Sequence, residues 1–462
     1  MALGRRQDER QQEMWVSRAD LPRSVGHVFY EKLNQLLASA GFDAFVENLC
    51  ESHYAAKMGR PGIPPGVYFR MLLVGYFEGI GSQRGIAWRC GDSLSLRSFL
   101  GIGLSENTPD HSSLTRVRDR LPLEVHSDVF RFVLRVVDEA GLLKGKTVAV
   151  DATTLEANAA MKSIVRRDTG EDWNEYLKRL MLAEGLIDEQ DEPTSEELRR
   201  FDKGRKNKRV SNAEWGSSTD PDSRITKMKD GRTHLAYKAE HVVDLETEVV
   251  LAAEIYTADT GDTDTLVDSL VEAQVHLNEA DVDVDVQIEE AVADKGYHAA
   301  HTLELATALN LRTYIPEPGR KGKLRWTDKP AEYQQAVYAN RRRGKTKKSR
   351  RLQRQRSERV ERSFAHVCET GGARRTWLRS LEKVRKRYLV SAVARNLGLV
   401  MRHLFGVGTA RSLQADGNGF CLAYIHYITV LRVWRRHLAL SIRVTRNHAQ
   451  NLAHRFAFAL AA

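Results

Sequence analysis

Asp151, Asp294 and Glu361 are the residues whose surroundings best suit them for chemistry. Asp151 closes the short β-branched run Thr147–Val150. In TVAVD, Val148 and Val150 share one face of a strand, while Ala149 and Asp151 point to the other. Asp294 closes the apolar run of AVADKGYH, and Gly296 lets the chain turn sharply there. Ligand crevices form at the C-terminal ends of strands in open α/β sheets. Glu361, in ERVERSFAHV, stands one residue after Val360 and three before Phe364. That spacing puts it at the margin of an apolar helical stripe, half-buried and able to face the sheet. Each residue alone is ordinary. A strand-end Asp commonly forms a turn or caps a helix, and a Glu among arginines commonly makes a surface ion pair worth about 0–1 kcal/mol. Together, the three carboxylates would repel one another unless a hard cation lay among them. Mg²⁺ takes oxygen ligands and keeps positions open for water and phosphate oxygens. Two such ions about 3.5–4 Å apart activate a nucleophilic oxygen and steady a leaving oxygen in phosphodiester chemistry.

The chain has 462 residues, with 71 Lys plus Arg against 61 Asp plus Glu, a formal charge of +10 and a pI near 9.3. The charge is local. Residues 341–362, RRRGKTKKSRRLQRQRSERVER, hold nine Arg and three Lys against two Glu, so this segment alone carries +10 and the other 440 residues sum to zero. A block this dense is not expected as a structural necessity, since like charges at helical spacing repel. A solvated helix face is the bland alternative. Against it, the run is internal and leads directly into the stripe Val360, Phe364, Val367. A nucleic-acid backbone is the expected partner. The candidate contacts are Arg341, Arg342, Arg343, Lys345, Lys347, Lys348, Arg350, Arg351, Arg354, Arg356, Arg359 and Arg362.

Several elements must position these groups. Residues 27–137 read as helices, with apolar residues at three-and-four spacing in VFYEKLNQLLASAGF and YFRMLLVGYFEGI. GRPGIPPG, Gly59–Gly66, reads as a rigid turn between them. NTPDHSSLTRVRDRL reads as a helix start with Thr108, Asp110 and Ser112 as possible caps. From Lys144 the period changes. Strands are expected over 147–151, 234–244, 248–256, a run ending at Asp294, and 311–316, with helices over 264–277 and 299–309. That order predicts a mixed α/β sheet with crossovers. Two interruptions are expected: a mostly helical, partly mobile insertion over about 155–232, and a basic one over about 317–350.

The residues carry a resemblance. GRPGIPPGVYFRMLLVGYFEGIGSQRGIAWRCGDSLSLRSFLGI, TPDHSSLTRVRDRL, VAVDATTLEANAA, VADKGYH, RSERVERSFAHVCETGGARRTWLR and VARNLGLVMRHLFG together resemble a DDE transposase of a bacterial insertion sequence. The likeness spans about residues 25–410 and is nearest to the branch with an all-helical N-terminal transposase domain. It implies a ribonuclease-H-like catalytic domain over 144–410, preceded by a helical domain over 27–140 that binds DNA ends. A tail (1–26) and an extension of unknown role (411–462) flank them. It implies Asp151, Asp294 and Glu361 as a catalytic, metal-binding triad holding two Mg²⁺ ions, with Mn²⁺ able to substitute. The partners implied are double-stranded DNA, both terminal inverted repeats and target, and a homodimer on DNA. The location implied is the bacterial cytoplasm. Water would cut at the element ends, and the freed 3′-OH would attack target DNA without a nucleotide cofactor. The chain departs from the pattern at Cys368, where many relatives carry a basic residue, so Arg362, Arg374 or Arg375 is expected to hold a phosphate instead. Arg116 and Arg118 would lie near the DNA groove if the N-terminal helices read it.

Other residues give less. His111 reads as a capping or core histidine, and Tyr297 as a packing residue. Trp326 is equally a loop anchor or a base-stacking platform. GxxxxGK[ST] is absent, which excludes a phosphate-loop NTPase. Cys50, Cys90, Cys368 and Cys421 lack paired-thiolate spacing and read as reduced, buried thiols. The N-terminus lacks the apolar core of a signal peptide, and the uncharged run 417–431 is too short to span a bilayer. Beside the transposase, two functions remain open: a hydrolysis-only nuclease of the same fold, and a non-catalytic DNA-binding protein derived from a transposase.

Overall fold

A computed structural model of the chain describes residues 17, 26–55, 62–206, 210–228, 230–280, 286–319 and 326–410. Most of the expected N-terminal tail, the whole 411–462 extension with Cys421, and most of the Gly- and Lys-rich stretch 319–325 lie outside the described residues. Seven helices come first: α1 (Gly26–Ser39), α2 (Phe42–Cys50), α3 (Pro65–Phe77), α4 (Gln83–Asp92), α5 (Leu94–Phe99), α6 (His111–Arg120) and α7 (Leu123–Glu139). The turn ahead of α3 ends two residues earlier than the prolines suggested. Pro65 is the first helical residue, where its missing N–H costs nothing. Of the three candidate caps of α6, Asp110 is the one used, its carboxylate accepting from Ser113 N.

From residue 147 the chain is mixed α/β. It runs β1 (Thr147–Glu156), β2 (Ile164–Arg166), α8 (Trp173–Ala183), α9 (Ser195–Gly204), β3 (Trp215–Ser217), β4 (Arg224–Lys227), β5 (Thr233–Asp244), β6 (Val250–Thr257), α10 (Asp262–Glu279), β7 (Glu290–Val292), α11 (Ala300–Ala308), β8 (Arg312–Tyr314), α12 (Ala331–Gly344), α13 (Lys347–Phe364) and α14 (Leu381–Phe405). The main sheet has the order β4-β5-β1-β7-β8, with β6 also on β5. β5 is antiparallel to β1, β4 and β6, whereas β7 is parallel to β1 and β8 to β7.

β1 corrects the sequence reading. It does not stop at Asp151 but continues through Ala152–Glu156, because these residues keep pairing with β5 as far as Glu156↔Ala236. The insertion therefore starts after Glu156. It holds the small β2–β3 sheet and α8–α9, whose Leu177, Met181 and Leu198 form a separate apolar cluster. Its last strand, β4, returns to the edge of the main sheet.

From Leu235 to Asp244 every residue of β5 is buried, as expected for a strand covered on both faces. On one face α10 supplies Thr265 and Ser269 to Glu240. On the other, His241 bonds Ser363 of α13 and Tyr388 of α14, and stacks on Phe364 at 4.1 Å. α14 is central. It packs on α3, α7 and β6, and Asn396 bonds both the N–H and the C=O of Val250. The helices and the sheet consequently share one apolar core. Cys50, Cys90 and Cys368 are buried without a disulfide. Among the described residues no helix is long and apolar enough to cross a membrane.

Burial holds the imidazoles of His241 and His126 neutral, pushing their pKa values down to about 3 and about 4 from 6.5. The unfolded chain takes up these protons near pH 6.5 and the folded chain does not until about pH 3–4. Stability is thus fully present above pH 6.5 and is lost progressively as pH falls through that window. Urea denaturation at pH 7 and pH 5 should show a loss of roughly 2 kcal/mol per buried histidine. A His241→Gln variant should lose one histidine's share of that pH slope; an unchanged slope would refute the assignment.

Candidate active site and nucleic-acid interface

The parallel ladder pairs Thr147 with Glu290, Val148 with Ala291 and Ala149 with Val292. Continued by two residues, the same register sets Asp294 opposite Asp151. Asp294 lies two residues beyond β7 and caps the turn Lys295–Tyr297, its Oδ1 accepting from Gly296 N at 2.7 Å. Asp151 pairs with His241 in the ladder and so projects toward α13. Its Oδ1 accepts from Ala152 N at 2.9 Å and its Oδ2 from Arg356 Nη1 at 2.6 Å. Burial raises the Asp151 pKa, Arg356 and the Ala152 N–H oppose that shift, and the charge of Asp294 adds to it. Asp151 therefore lies within electrostatic reach of Asp294, and Arg356 is the cation paired with Asp151. Gln353, one turn earlier, accepts from Arg356 Nε and donates to Ala293 O and Tyr314 O, tying α13 to the ends of β7 and β8.

A second polar layer lies beneath Asp294. Tyr297 is buried and donates to Glu240 Oε2 at 2.8 Å. Lys238 Nζ reaches Thr265 Oγ1 at 2.8 Å and Asp262 at 2.7 Å. Gly296 leaves no room for a side chain, since a Cβ there would meet Asp262 Oδ2 and Asp294 Oδ1 at 2.9 Å each. Asp262 thus adjoins the Asp294 turn. Its position depends on the docking of α10, and no spacing in the sequence singles it out.

Glu361 is placed differently from the expectation. It is not half-buried against the sheet but exposed on α13. Val360, Ser363 and Phe364 take the buried positions, and Glu361 is rotated onto the outer side with Glu358. Among the described residues, no group of three His, Cys, Asp or Glu is arranged to hold a metal ion. The pair Asp151 and Asp294 fits a divalent cation by donor type and by a crowded charge that a cation would relieve. The full three-carboxylate set is not assembled.

The basic block is divided by the fold. Part of it is structural, which corrects the expectation that it serves no structural need. Arg341 makes a bidentate pair with Glu317, Arg343 bonds Thr313, Lys348 pairs with Glu290, and Arg362 pairs with Glu248 and Glu358. Arg359 is half-buried. Arg342, Lys345, Lys347, Arg350, Arg351 and Arg354 are exposed along the α12–α13 corner. Of the remaining candidates, Arg374 is held by Glu369 and Thr153, while Arg375 is exposed 3.7 Å from Glu156. Arg116 is exposed, but Arg118 is buried beside α14 and offers no guanidinium at a helix surface. Cys368 is buried in a π-helical turn, Ala365–Thr370, that continues α13.

A mixed sheet with Asp151 on β1 and Asp294 two residues beyond the adjacent β7, flanked by helices and joined to a helical region, is the arrangement of a ribonuclease-H-like fold. Residues 144–397 match the family described as Transposase DDE domain, and residues 18–120 match the Transposase domain (DUF772) family. The first match covers more than half of the chain, and the chain belongs to the transposase DDE-domain family. Comparison with curated proteins and with solved structures gives no match.

If the exposed corner meets phosphates, replacing Arg342, Lys345, Lys347, Arg350, Arg351 and Arg354 with Gln should flatten the plot of log K against log salt. The slope should fall by about 0.9 for each phosphate that is no longer neutralised. Fluorescence anisotropy with duplex DNA across a salt series reads this directly. An unchanged slope would mean the corner is a solvated face.

Proposed function

We propose that the chain cuts the DNA ends of an insertion sequence and joins the freed 3′-OH to target DNA, in a Mg²⁺-dependent reaction with Mn²⁺ able to substitute. The observation that carries this reading is the β1–β7 register, which sets Asp151 beside Asp294 in a transposase-family sheet bordered by an exposed basic corner. Asp151 and Asp294 would hold the divalent metal, which when bound supplies activation of the attacking oxygen and charge relief for the leaving one. Arg356 holds the Asp151 carboxylate in place and offsets its charge. Gln353 ties α13 to the ends of β7 and β8, the first of which leads into Asp294. The exposed cations of α12 and α13 hold the DNA backbone, which positions it without selecting a sequence. Two element ends must meet, so a homodimer on DNA is part of the proposal, as are the inverted repeats as substrate. Glu361 is the third carboxylate in this reading, and it joins the pair only if its side chain or α13 turns from the outward position.

The outward Glu361 also favours a second reading, a DNA-binding protein without catalysis. Incubation with Mg²⁺, a labelled element end and a supercoiled target separates the possibilities. Cleavage with joined product supports transposition, cleavage without joining supports a nuclease, and binding alone supports the second reading. Asp151→Asn and Asp294→Asn should each reduce cleavage by about 100-fold or more while DNA binding stays within a few-fold. Glu361→Gln should do the same. Wild-type cleavage by Glu361→Gln would remove Glu361 from the site and leave the aspartate pair standing.

A further inference from the structure

A cavity of about 370 Å³ lies between the helical region and the sheet, apart from the aspartate pair. It is bounded by the starts of α4 and α6, by residues 371–378, and by α14. Its volume falls in the range of small-ligand pockets, roughly 300–1,000 Å³. Four arginines line it, Arg84, Arg118, Arg375 and Arg387, and its lining contains no carboxylate.

The decisive group is Arg118. Its side chain is 7% exposed, and its Nε and Nη1 have no hydrogen-bond partner. Asp119 Oδ1 lies 3.4 Å from Nε without hydrogen-bond geometry, and Asp119 is shared with Lys383 at 3.1 Å. A buried guanidinium with unused donors is costly unless an acceptor arrives. Arg387 is only lightly engaged, by Leu72 O at 3.2 Å and Ile80 O at 3.4 Å. Two helix starts face the same space: Ser82, the cap of α4, and His111, the first residue of α6.

The rest of the lining is apolar and aromatic. Trp377 is 54% exposed and rests on Gly81, where a Cβ would meet its Nε1 at 2.6 Å. Arg375 lies 5.7 Å from its ring centroid. Tyr388, Leu155 and Val384 form part of the wall. An anion alone would have no use for an indole platform, and an apolar ligand alone would leave the arginines unsatisfied. Both demands are met by a phosphate carrying a flat ring. Leu155 stands four residues beyond Asp151 on the same strand, roughly 13 Å away.

We propose that this cavity is a nucleotide-binding site distinct from the aspartate pair, with the phosphate on Arg118 and Arg387 and the base against Trp377. The nucleotide comes either from an unpaired stretch of the DNA substrate or from the free pool. The site does not depend on the proposed chemistry, so Asp151→Asn should leave it unchanged.

The test uses the full chain. Calorimetric titration with deoxyadenosine monophosphate should show one site per chain, at least tenfold tighter than for deoxyadenosine or for inorganic phosphate. The exposed pair Arg84→Gln/Arg375→Gln should weaken it tenfold or more, and so should Arg118→Gln. Arg118→Gln alters a buried position, so the exposed double variant carries the test if that protein does not fold. Crosslinking of a single-stranded oligonucleotide containing 5-iododeoxyuridine should map to Trp377 if the nucleotide belongs to DNA. Monophosphate binding without that crosslink assigns the site to a free nucleotide. Absence of both, or equal binding of phosphate and monophosphate, overturns the proposal.

Discussion

Asp151 and Asp294, set opposite each other by the β1–β7 register, crowd like charge at the ends of neighbouring parallel elements, and their surroundings hold both in place. The β1–β7 register brings Asp151 and Asp294 together, and neither can retreat. Asp151 sits in mid-strand, locked by pairing with β5 on its other side. Asp294 is clamped into its turn by Gly296 N, with Tyr297 anchored to Glu240 beneath it. Cations then appear where electrostatics requires them: Arg356 on Asp151, and Lys238 on Asp262 beside the Asp294 turn. Stored repulsion of this kind costs stability and is typical of sites that await a charged ligand.

The basic segment meets the aspartate pair through Arg356. Its cations divide by helix face. Those on the inner faces of α12 and α13 fasten the sheet through Glu317, Glu290, Asp151 and Glu248. Those on the outer face have no such work. One dense run of arginine thus serves both as a fastener for the last strands and as an exposed electropositive corner.

Much of this was legible in the sequence, and the failures share a physical cause. The alternation in TVAVD located the face of Asp151 correctly, and the order of strands and helices from 144 onward yielded the mixed sheet. These depend on local periodicity. Glu361, Arg118 and Asp262 were misjudged or missed because their settings depend on which elements dock where. One residue's step along a helix turns a side chain by about 100°, so adjacency to Val360 could not decide whether Glu361 faced the sheet. Arg118 reads as a surface residue in RVRDR until α14, more than half the chain later, covers it. The length of β1 was misread because its second half is stabilised by β5, not by its own composition.

α14 has a consequence for how the chain comes to be folded. It closes the core of the helices and the core of the sheet alike, through Asn396 on β6 and through packing on α3 and α7. During synthesis, neither half can complete its interior until residues 381–405 have left the ribosome, although the first helices emerged long before. Domains ordinarily fold in turn from the N-terminus. α14 thus makes residues 381–405 a shared requirement of both interiors. A chain cut short before α14 would therefore lack a finished interior in either half, and neither half would be released as a folded, independent fragment.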